Sequence, residues 1–306
     1  MSDKIREILS WYRGENAGVL TNLSRLLNHG RLAGTGKMII LPVDQGFEHG
    51  PGRSFAPNPP GYDPNYHFQF AIDAGLNGYA SLLGFLEAGA AEFAGQIPLI
   101  LKLNSHDILH AEKDPLGAQT ASISDALRLG CVAVGYTIYP GTVDRRIQYE
   151  QVRELIKEAK ASGLVFVLWA YPRGGDLSKE GETALDVIAY AAQIGAQLGV
   201  HIIKTKLPSA HLELPDARKV YEAMKIPRDT LKDRVRHVVQ SAFNGKRIVI
   251  FSGGAKEDDA TIFEDARAIR DGGGFGSIIG RNSFQRERGA ALNLLDHMIK
   301  IYQGKE

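Results

Sequence analysis

Short apolar runs rich in β-branched residues recur along the chain, and segments with helical periodicity separate them. The runs span residues 38–43, 78–83, 99–103, 132–138, 164–170, 201–205, 247–251 and 276–280. Segments 144–162, 182–198 and 259–271 place apolar residues near i, i+3 and i+4 spacing, which is typical of amphipathic helices. Because near-continuous apolar runs indicate strands buried on both faces, the alternation predicts a parallel sheet covered by helices.

Glycine follows several of the predicted helices directly before the next strand. These positions are Gly75, Gly130, Gly163 and Gly199. A glycine there ends a helix in the left-handed conformation and directs the chain into a strand. Eight such units favour a closed (β/α)8 TIM barrel over an open doubly wound sheet, and we assign residues 37–306 to one α/β barrel domain.

Two segments lie outside this regular alternation. Residues 1–36 precede the first strand, and we expect an N-terminal helical extension of one or two helices that covers the bottom of the barrel. Segment 207–246 is long for one crossover and contains Pro208, Pro215 and Pro227. It is therefore predicted to hold a loop and two helices.

Composition narrows the class of protein. The 306 residues would fit two average domains or one barrel, and 36 Lys and Arg balance 35 Asp and Glu. The net charge is therefore close to zero and creates no overall electrostatic attraction to nucleic acid or to an anionic membrane. Cys131 is the single cysteine, which excludes an intramolecular disulfide and suits a reducing compartment. Without a recognisable signal peptide or a long uninterrupted apolar stretch, we expect a cytoplasmic enzyme.

Two lysines, Lys204 and Lys206, end the apolar run that begins at His201. Residues i and i+2 of a strand share a face, so both ammonium groups project to one side. An ordinary lysine has a pKa near 10.4 and is almost always protonated at neutral pH. A second cation roughly 6–7 Å away lowers that pKa by about two units. The pair therefore predicts one lysine that forms a Schiff base and a second lysine that lowers the pKa of the first. The alternative is a pair of solvated lysines at the end of a strand.

The carboxyl ends of the predicted strands are rich in polar and aromatic residues, and barrel enzymes hold their active sites at that face. Gly253, Gly254 and Gly280 follow strands seven and eight, and backbone N–H groups there, with Arg281 or Lys256, would suit a phosphate. Glycines required only for tight turns are the alternative. The other candidates at these ends are Asp44, His49, Lys102, Trp169, Tyr171 and Arg173.

Six strings at these ends carry a family resemblance. They are Asp44-Gln-Gly-Phe-Glu-His-Gly-Pro51, Gly135-Tyr-Thr-Ile-Tyr-Pro-Gly141, Trp169-Ala-Tyr-Pro-Arg-Gly-Gly175, Ile203-Lys-Thr-Lys206, Ser252-Gly-Gly254 and Gly280-Arg-Asn282. In this order, between about residues 37 and 303, the chain resembles the archaeal-type class I fructose-bisphosphate aldolases, also called the DhnA family. The resemblance implies a TIM barrel that cleaves fructose 1,6-bisphosphate reversibly to dihydroxyacetone phosphate and glyceraldehyde 3-phosphate.

The resemblance also implies roles for individual residues. Lys204 matches the Schiff-base lysine, Tyr171 the acid/base with Trp169 on the same strand face, and Asp44 the aspartate near the reacting carbons. Ala170, between the two aromatic residues, is expected to point outward. The phosphate contacts of the family match Ser252, Gly253, Gly254, Gly280 and Arg281.

We also expect specific roles for four further residues. Lys206 is expected to keep Lys204 unprotonated, and Arg173 to meet the distal phosphate. Lys102 either binds substrate or balances the charge of Asp44 or another carboxylate. His49 either orders its loop or contacts the ligand.

A lysine nucleophile supplies its own electron sink, so we expect neither a metal nor another cofactor. His106 and His110 have i, i+4 spacing but lack a third partner for zinc. Two alternatives stay open: a related transaldolase-like lyase that acts on another phosphorylated keto-sugar, and a noncatalytic barrel that binds sugar phosphate. In each case the small-molecule partner is a sugar phosphate, and the family resemblance implies a homo-oligomer.

Overall fold

Eight parallel strands close into a barrel in the computed structural model, which describes residues 1–253 and 258–306. Each strand pairs with the next along the chain, and the last pairs with the first. The predicted (β/α)8 barrel is therefore confirmed, and the predicted runs match the strands to within two residues at each end. The strands are β1 Met38–Val43, β2 Gly78–Ser81, β3 Leu99–Lys102, β4 Ala133–Ile138, β5 Val165–Ala170, β6 Ile202–Lys206, β7 Ile248–Ser252 and β8 Gly276–Ile278.

Helices surround this barrel. Predicted segments 144–162, 182–198 and 259–271 correspond to the helices Arg145–Ala161, Leu185–Leu198 and Asp259–Asp271, although the second of these starts three residues later than predicted. The α-helices are α1 Asp3–Ser10, α2 Ala17–Leu27, α3 Gln45–His49, α4 Pro51–Phe55, α5 Pro64–Asp73, α6 Leu83–Gly89, α7 Ile123–Arg128, α8 Arg145–Ala161, α9 Leu185–Leu198, α10 Pro215–Ala223, α11 Leu231–Ser241, α12 Asp259–Asp271, α13 Arg281–Phe284 and α14 Arg288–Tyr302. In the part of the chain that the structure describes, none of them is long and apolar enough to cross a membrane.

Side chains along each strand alternate between two apolar layers, because successive residues of a strand point to opposite faces. In β5, Val167 and Trp169 pack inside the barrel, whereas Leu168 and Ala170 pack against the surrounding helices. Ala170 thus points outward, as predicted. The same alternation directs Lys204 toward the barrel interior.

The N-terminal helices α1 and α2 cover the bottom of the barrel. Buried residues Ile5 and Leu23 join the apolar cluster of the barrel interior. The Tyr12 hydroxyl donates to the His201 carbonyl at 2.6 Å and accepts from the Ile248 amide at 3.1 Å, at the starts of β6 and β7. The extension therefore shares its core with the barrel and lies opposite the carboxyl ends of the strands.

Segment 207–246 forms a loop followed by α10 and α11, as its three prolines indicate. Pro215 occupies the first turn of α10, where a missing N–H costs little. Two further features were not predicted. Asn104–Ser105 pairs with Ala118–Gln119 as a small antiparallel ladder after β3, and a 3-10 turn, Gly181–Thr183, precedes α9.

Candidate active site

A cavity of about 420 Å³ opens at the carboxyl ends of the strands. It brings together most of the residues predicted from the sequence. Those that line it are Asp44, His49, Trp169, Tyr171, Arg173, Lys204, Lys206, Ser252, Gly253, Gly280 and Arg281. Lys102 lies behind the wall and reaches it through Asp44, while Gly254 and Lys256 lie outside the described residues. A larger cavity of about 910 Å³ lies beside α2 near the barrel bottom, away from this cluster.

Lys204 lies inside the mouth of the barrel and is only 4% exposed. Strand pairing sets it opposite Trp169 of β5. Its ammonium nitrogen lies 4.9 Å from the centre of the Trp169 ring and 5.4 Å from the centre of the Tyr171 ring. An amine held against aromatic faces in a shielded cavity can attack a ligand carbonyl while bulk water is largely excluded.

A glycine in β4 makes room for the Trp169 indole. A Cβ atom at Gly135 would lie 2.3 Å from an atom of this ring, closer than any real contact. The indole therefore packs over the glycine backbone inside the barrel. The indole N–H is buried and has no acceptor among the described residues, which leaves a directed donor at the cavity.

A buried ion-pair network connects β1, α3 and β3. The Lys102 ammonium lies 2.6 Å from Asp44 Oδ2 and 2.8 Å from Glu48 Oε1. Burial favours a neutral Asp44, but the charge and the hydrogen bond of Lys102 oppose this effect, and the pKa of this carboxyl is lowered. Burial disfavours the Lys102 cation, but Asp44 and Glu48 outweigh that effect and raise its pKa. Asp44 makes no capping bond to α3. Its ion pair with Lys102 holds it as an ionised carboxylate at the cavity wall.

Glu48 was not among the predicted site residues, although its spacing from Asp44 could have indicated it. Asp44 and Glu48 are four residues apart at the start of α3, and residues at i and i+4 of a helix lie on one face. A lysine at the end of a neighbouring interior strand can reach both carboxylates. The His49 ring lies beside Glu48, at 4.0 Å between Nε2 and Oε2, and burial is the main cause that lowers its pKa.

Lys206 forms an ion pair that the sequence did not predict. Its ammonium lies 3.2 Å from Glu182 Oε2, on the turn before α9. Burial, followed by the nearby Arg173 cation, lowers the Lys206 pKa, and Glu182 partly offsets both. Burial favours a neutral Glu182, but its hydrogen bond to Lys179 and the charge of Lys206 outweigh it and lower the pKa of this carboxyl.

The turn after β8 brings the chain very close to β1. A Cβ atom at Gly280 would lie 2.9 Å from the Pro42 carbonyl oxygen and 3.1 Å from Gln45 Nε2, so the position favours glycine. Ser252 and Gly253, at the end of β7, line the same part of the cavity. Gln45 was not a candidate. Its buried Oε1 has no donor among the described residues, so it can accept a hydrogen bond from a ligand.

The two histidines at i, i+4 spacing differ in their relation to the candidate cavity. His106 lines the cavity and its Nδ1 hydrogen-bonds the Tyr139 hydroxyl at 2.9 Å. His110 does not line this cavity, but both histidines line a neighbouring cavity of about 560 Å³. Within residues 1–253 and 258–306, no three His, Cys, Asp or Glu side chains are grouped as metal ligands.

Comparison with known proteins gives consistent results. The family model of the DeoC/LacD aldolases matches residues 38–286. The probable fructose-bisphosphate aldolase class 1 of Chlamydia muridarum is 34% identical over 301 residues, 94% of this chain and 85% of that protein. The fructose-bisphosphate aldolase class 1 of Thermoproteus tenax is 34% identical over 273 residues, 89% and 92% of the two chains. A solved archaeal fructose-1,6-bisphosphate aldolase, its catalytic lysine bound to the carbinolamine intermediate, matches with a TM-score of 0.76, 31% identity and coverage of 92% and 98%.

Proposed function

The chain belongs to the DeoC/LacD family of aldolases, and from this premise we propose that it is a class I fructose-bisphosphate aldolase that forms a Schiff base on Lys204. The reaction is the reversible cleavage of fructose 1,6-bisphosphate to dihydroxyacetone phosphate and glyceraldehyde 3-phosphate. The observation that carries the proposal is the placement of Lys204. It is buried at the end of β6 and opens into one cavity with Tyr171, Asp44 and the turns at Ser252 and Gly280.

In the proposed mechanism the Lys204 amine attacks the C2 ketone and gives a carbinolamine. Tyr171 donates its phenolic proton to the departing hydroxyl group, so water leaves and a protonated imine remains as the electron sink for C3. The Tyr171 phenolate formed in that step accepts the proton of the C4 hydroxyl, the C3–C4 bond breaks, and its electron pair flows into the imine. Glyceraldehyde 3-phosphate leaves, and protonation of the enamine at C3 followed by hydrolysis releases dihydroxyacetone phosphate.

The remaining side chains position the substrate. Asp44, held ionised by Lys102, is suited to accept a hydrogen bond from a sugar hydroxyl. Lys206 is assigned to keep Lys204 unprotonated. The buried Trp169 N–H, which has no acceptor among the described residues, is assigned to a substrate oxygen near the reacting carbons. Arg173 serves the distal phosphate, since its buried Nε has no acceptor among the described residues.

The phosphate on C1 of the ketose is assigned to the turns after β7 and β8. The support is that Ser252, Gly253, Gly280 and Arg281 line the cavity that holds Lys204. Backbone N–H groups of such turns bind phosphate where no Cβ blocks the approach. Gly254, outside the described residues, completes this assignment.

Two measurements test the aldolase class and the identity of the nucleophilic lysine together. Cleavage of fructose 1,6-bisphosphate is expected to persist in excess EDTA, because the imine replaces a metal as electron sink. Lys204→Met is expected to abolish both cleavage and borohydride trapping of dihydroxyacetone phosphate. Lys157→Met, which changes a lysine in an exposed ion pair, serves as the matched control and retains both. Loss of activity in EDTA, or an adduct on another lysine, would contradict the proposal.

The preferred substrate and the presence of a trapped adduct distinguish the two alternative functions from the proposed one. Faster cleavage of a different ketose phosphate would identify a related lyase. Reversible sugar-phosphate binding without a trapped adduct would identify a noncatalytic barrel.

We also propose that the enzyme works in the cytoplasm and forms a homo-oligomer. Sedimentation at micromolar concentrations would test the oligomeric state. The lone buried Cys131, with its pKa raised to about 12 by burial, suits a reducing compartment.

A further inference from the structure

The ion pair between Lys206 and Glu182 lies in the wall between two cavities. Lys206 lines the cavity that contains Lys204, Glu182 lines the neighbouring cavity, and Arg173 lines both. The pair is mostly shielded, with Lys206 and Glu182 side chains 25% and 13% exposed. Shielding by the protein makes this interaction stronger than that of a surface pair.

We propose that Glu182 is a positioning residue that holds Lys206 charged beside Lys204, and that segment 207–214 holds Glu182 in place. The inference rests on the proposed role of Lys206 as the group that keeps Lys204 unprotonated. It adds a third residue to that electrostatic arrangement and gives a function to the start of the insertion. Glu182 acts through Lys206 and need not touch the substrate.

The charges that face Lys206 explain why a carboxylate is needed there. Arg173 and Lys179 are both cations, and burial further disfavours a protonated Lys206. Glu182 is the group that opposes these three effects. Without it, Lys206 would spend less time protonated, and its side chain would lose the contact that fixes its direction.

Segment 207–214 is hydrogen-bonded to the loop on both sides of Glu182. The Ser209 amide donates to the Thr183 carbonyl at 2.8 Å, directly after Glu182, and the Leu185 amide donates to the His211 carbonyl at 2.9 Å. Before Glu182, the Ser178 amide and hydroxyl donate to the Glu213 carboxylate at 2.7 and 2.9 Å. Both flanks of the Glu182 turn are therefore fixed.

The fit at Gly181 is equally close. A Cβ atom there would lie 2.4 Å from the carboxyl carbon of Glu213. The buried Asp186 carboxylate accepts from the amides of Glu213 and Leu214 at 3.0 and 2.8 Å, which fixes the end of the segment. The position of the Glu182 carboxylate is thus determined by contacts between the β5 loop and the start of the insertion.

A direct and an indirect action of Glu182 predict opposite results. The acid limb of kcat/KM reports deprotonation of the nucleophile in the free enzyme. If Glu182 acted directly on Lys204, removing its negative charge would move this limb to lower pH. If it acts by keeping Lys206 charged, its removal weakens the field of Lys206 at Lys204 and moves the limb to higher pH.

The test compares pH profiles of kcat/KM for wild type, Glu182→Gln, Lys206→Met and the double variant. We expect the acid limb to move to higher pH by about two units in Lys206→Met, which removes the cation, and by less in Glu182→Gln, which only lowers the fraction of Lys206 that is charged. The double variant is expected to match Lys206→Met, because Glu182 has no effect once Lys206 is absent. Glu182→Asp, which keeps the charge, should restore part of the shift, and Glu154→Gln on the exposed surface should leave the profile unchanged.

Three outcomes would overturn the inference. A shift of the Glu182→Gln limb to lower pH would show direct action, and additive shifts in the double variant would show independent action. A shift in Lys206→Met without one in Glu182→Gln would remove Glu182 alone from the arrangement. An unchanged Lys206→Met profile would contradict the role of Lys206 as well, while borohydride trapping on Lys204 would still test the aldolase function separately.

Discussion

Three lysines belong to the candidate site, and their electrostatic surroundings differ. Lys102 pairs with Asp44 and Glu48, and Lys206 pairs with Glu182. Lys204 forms no ion pair with any residue in the described part of the chain and instead lies against aromatic rings. A nucleophilic amine must be unprotonated, and a directly bound carboxylate would stabilise the ammonium form. The surroundings therefore distinguish Lys204 from the other two lysines.

Lys102→Met is expected to destabilise the protein and abolish cleavage. It leaves Asp44 and Glu48 buried without their cation, a change that typically costs about 3–5 kcal/mol. Urea unfolding at neutral pH measures the loss, with Lys157→Met at an exposed pair as the control that changes stability by less than about 0.5 kcal/mol. A stable Lys102→Met variant with normal activity would show that the network is dispensable.

Gly135→Ala tests the packing beneath the Trp169 indole. The added methyl collides with the ring, and overpacking of this kind costs about 1–3 kcal/mol. We expect lower stability and a lower kcat, because the displaced indole also moves the wall against which Lys204 lies. Gly84→Ala is the matched control, since a methyl there meets nothing within 4 Å and α6 gains up to about 1 kcal/mol. Equal stability of the two variants would contradict the packing argument.

At the scale of elements, the loops after β5 and β6 form one unit. Segment 207–214 contacts both the Glu182 turn and the first turn of α9, and Ala184 bridges to Ser209. These bonds join the insertion to the cavity wall. They also explain why α9 begins at Leu185 although the apolar periodicity begins earlier: the preceding residues form the turn that carries Glu182.

Asp186→Ala is expected to loosen this unit. Asp186 is 4% exposed, and its removal leaves two amides without acceptors, at a cost of about 1–3 kcal/mol. Hydrogen exchange should become faster at the amides of Glu213 and Leu214 while the barrel strands stay protected. Glu222→Ala, on the exposed face of α10, should change neither exchange nor stability. Unchanged protection in Asp186→Ala would show that other contacts hold the segment.

For the whole molecule, stability and chemistry are separated along the barrel axis. The candidate site is at the carboxyl ends of the strands, and α1 and α2 cover the opposite end. Glu15, just before α2, pairs there with Lys160 and lies 3.5 Å from His201 Nε2. Burial favours a neutral Glu15, but the neighbouring His201 and Lys160 outweigh it and lower its pKa from 4.5 to about 2.

This shift predicts a pH-dependent contribution to stability. A carboxyl whose pKa is lowered by folding stabilises the protein above its ordinary pKa, and the contribution is lost as pH falls from about 4.5 toward 2. Burial also lowers the His201 pKa, so protonation of that ring adds to the loss in acid. Urea unfolding between pH 3 and 7 should show wild type more stable than Glu15→Gln near neutrality, with the difference shrinking in acid. A difference independent of pH would contradict the assignment, and kcat at neutral pH should be unchanged.

Much of the fold and of the site was predictable because it depends on local geometry. The strand period puts Lys204 inside the barrel and Ala170 outside it, and parallel strands gather their carboxyl ends at one face. Glycines after the helices adopt the positive φ that ends a helix, as at Gly199. These relations involve residues close in sequence or follow from the parallel order of the strands.

Only the tertiary structure decided which distant side chains meet. The pairs Lys102 with Glu48, Lys206 with Glu182, and Gly135 with Trp169 join separate strands and loops. Such contacts depend on the stagger of the closed barrel, on the reach of long side chains and on how each loop folds back, none of which a periodic pattern contains. The sequence alone thus determined the barrel and the candidate nucleophile, whereas packing between elements determined the charges that surround it.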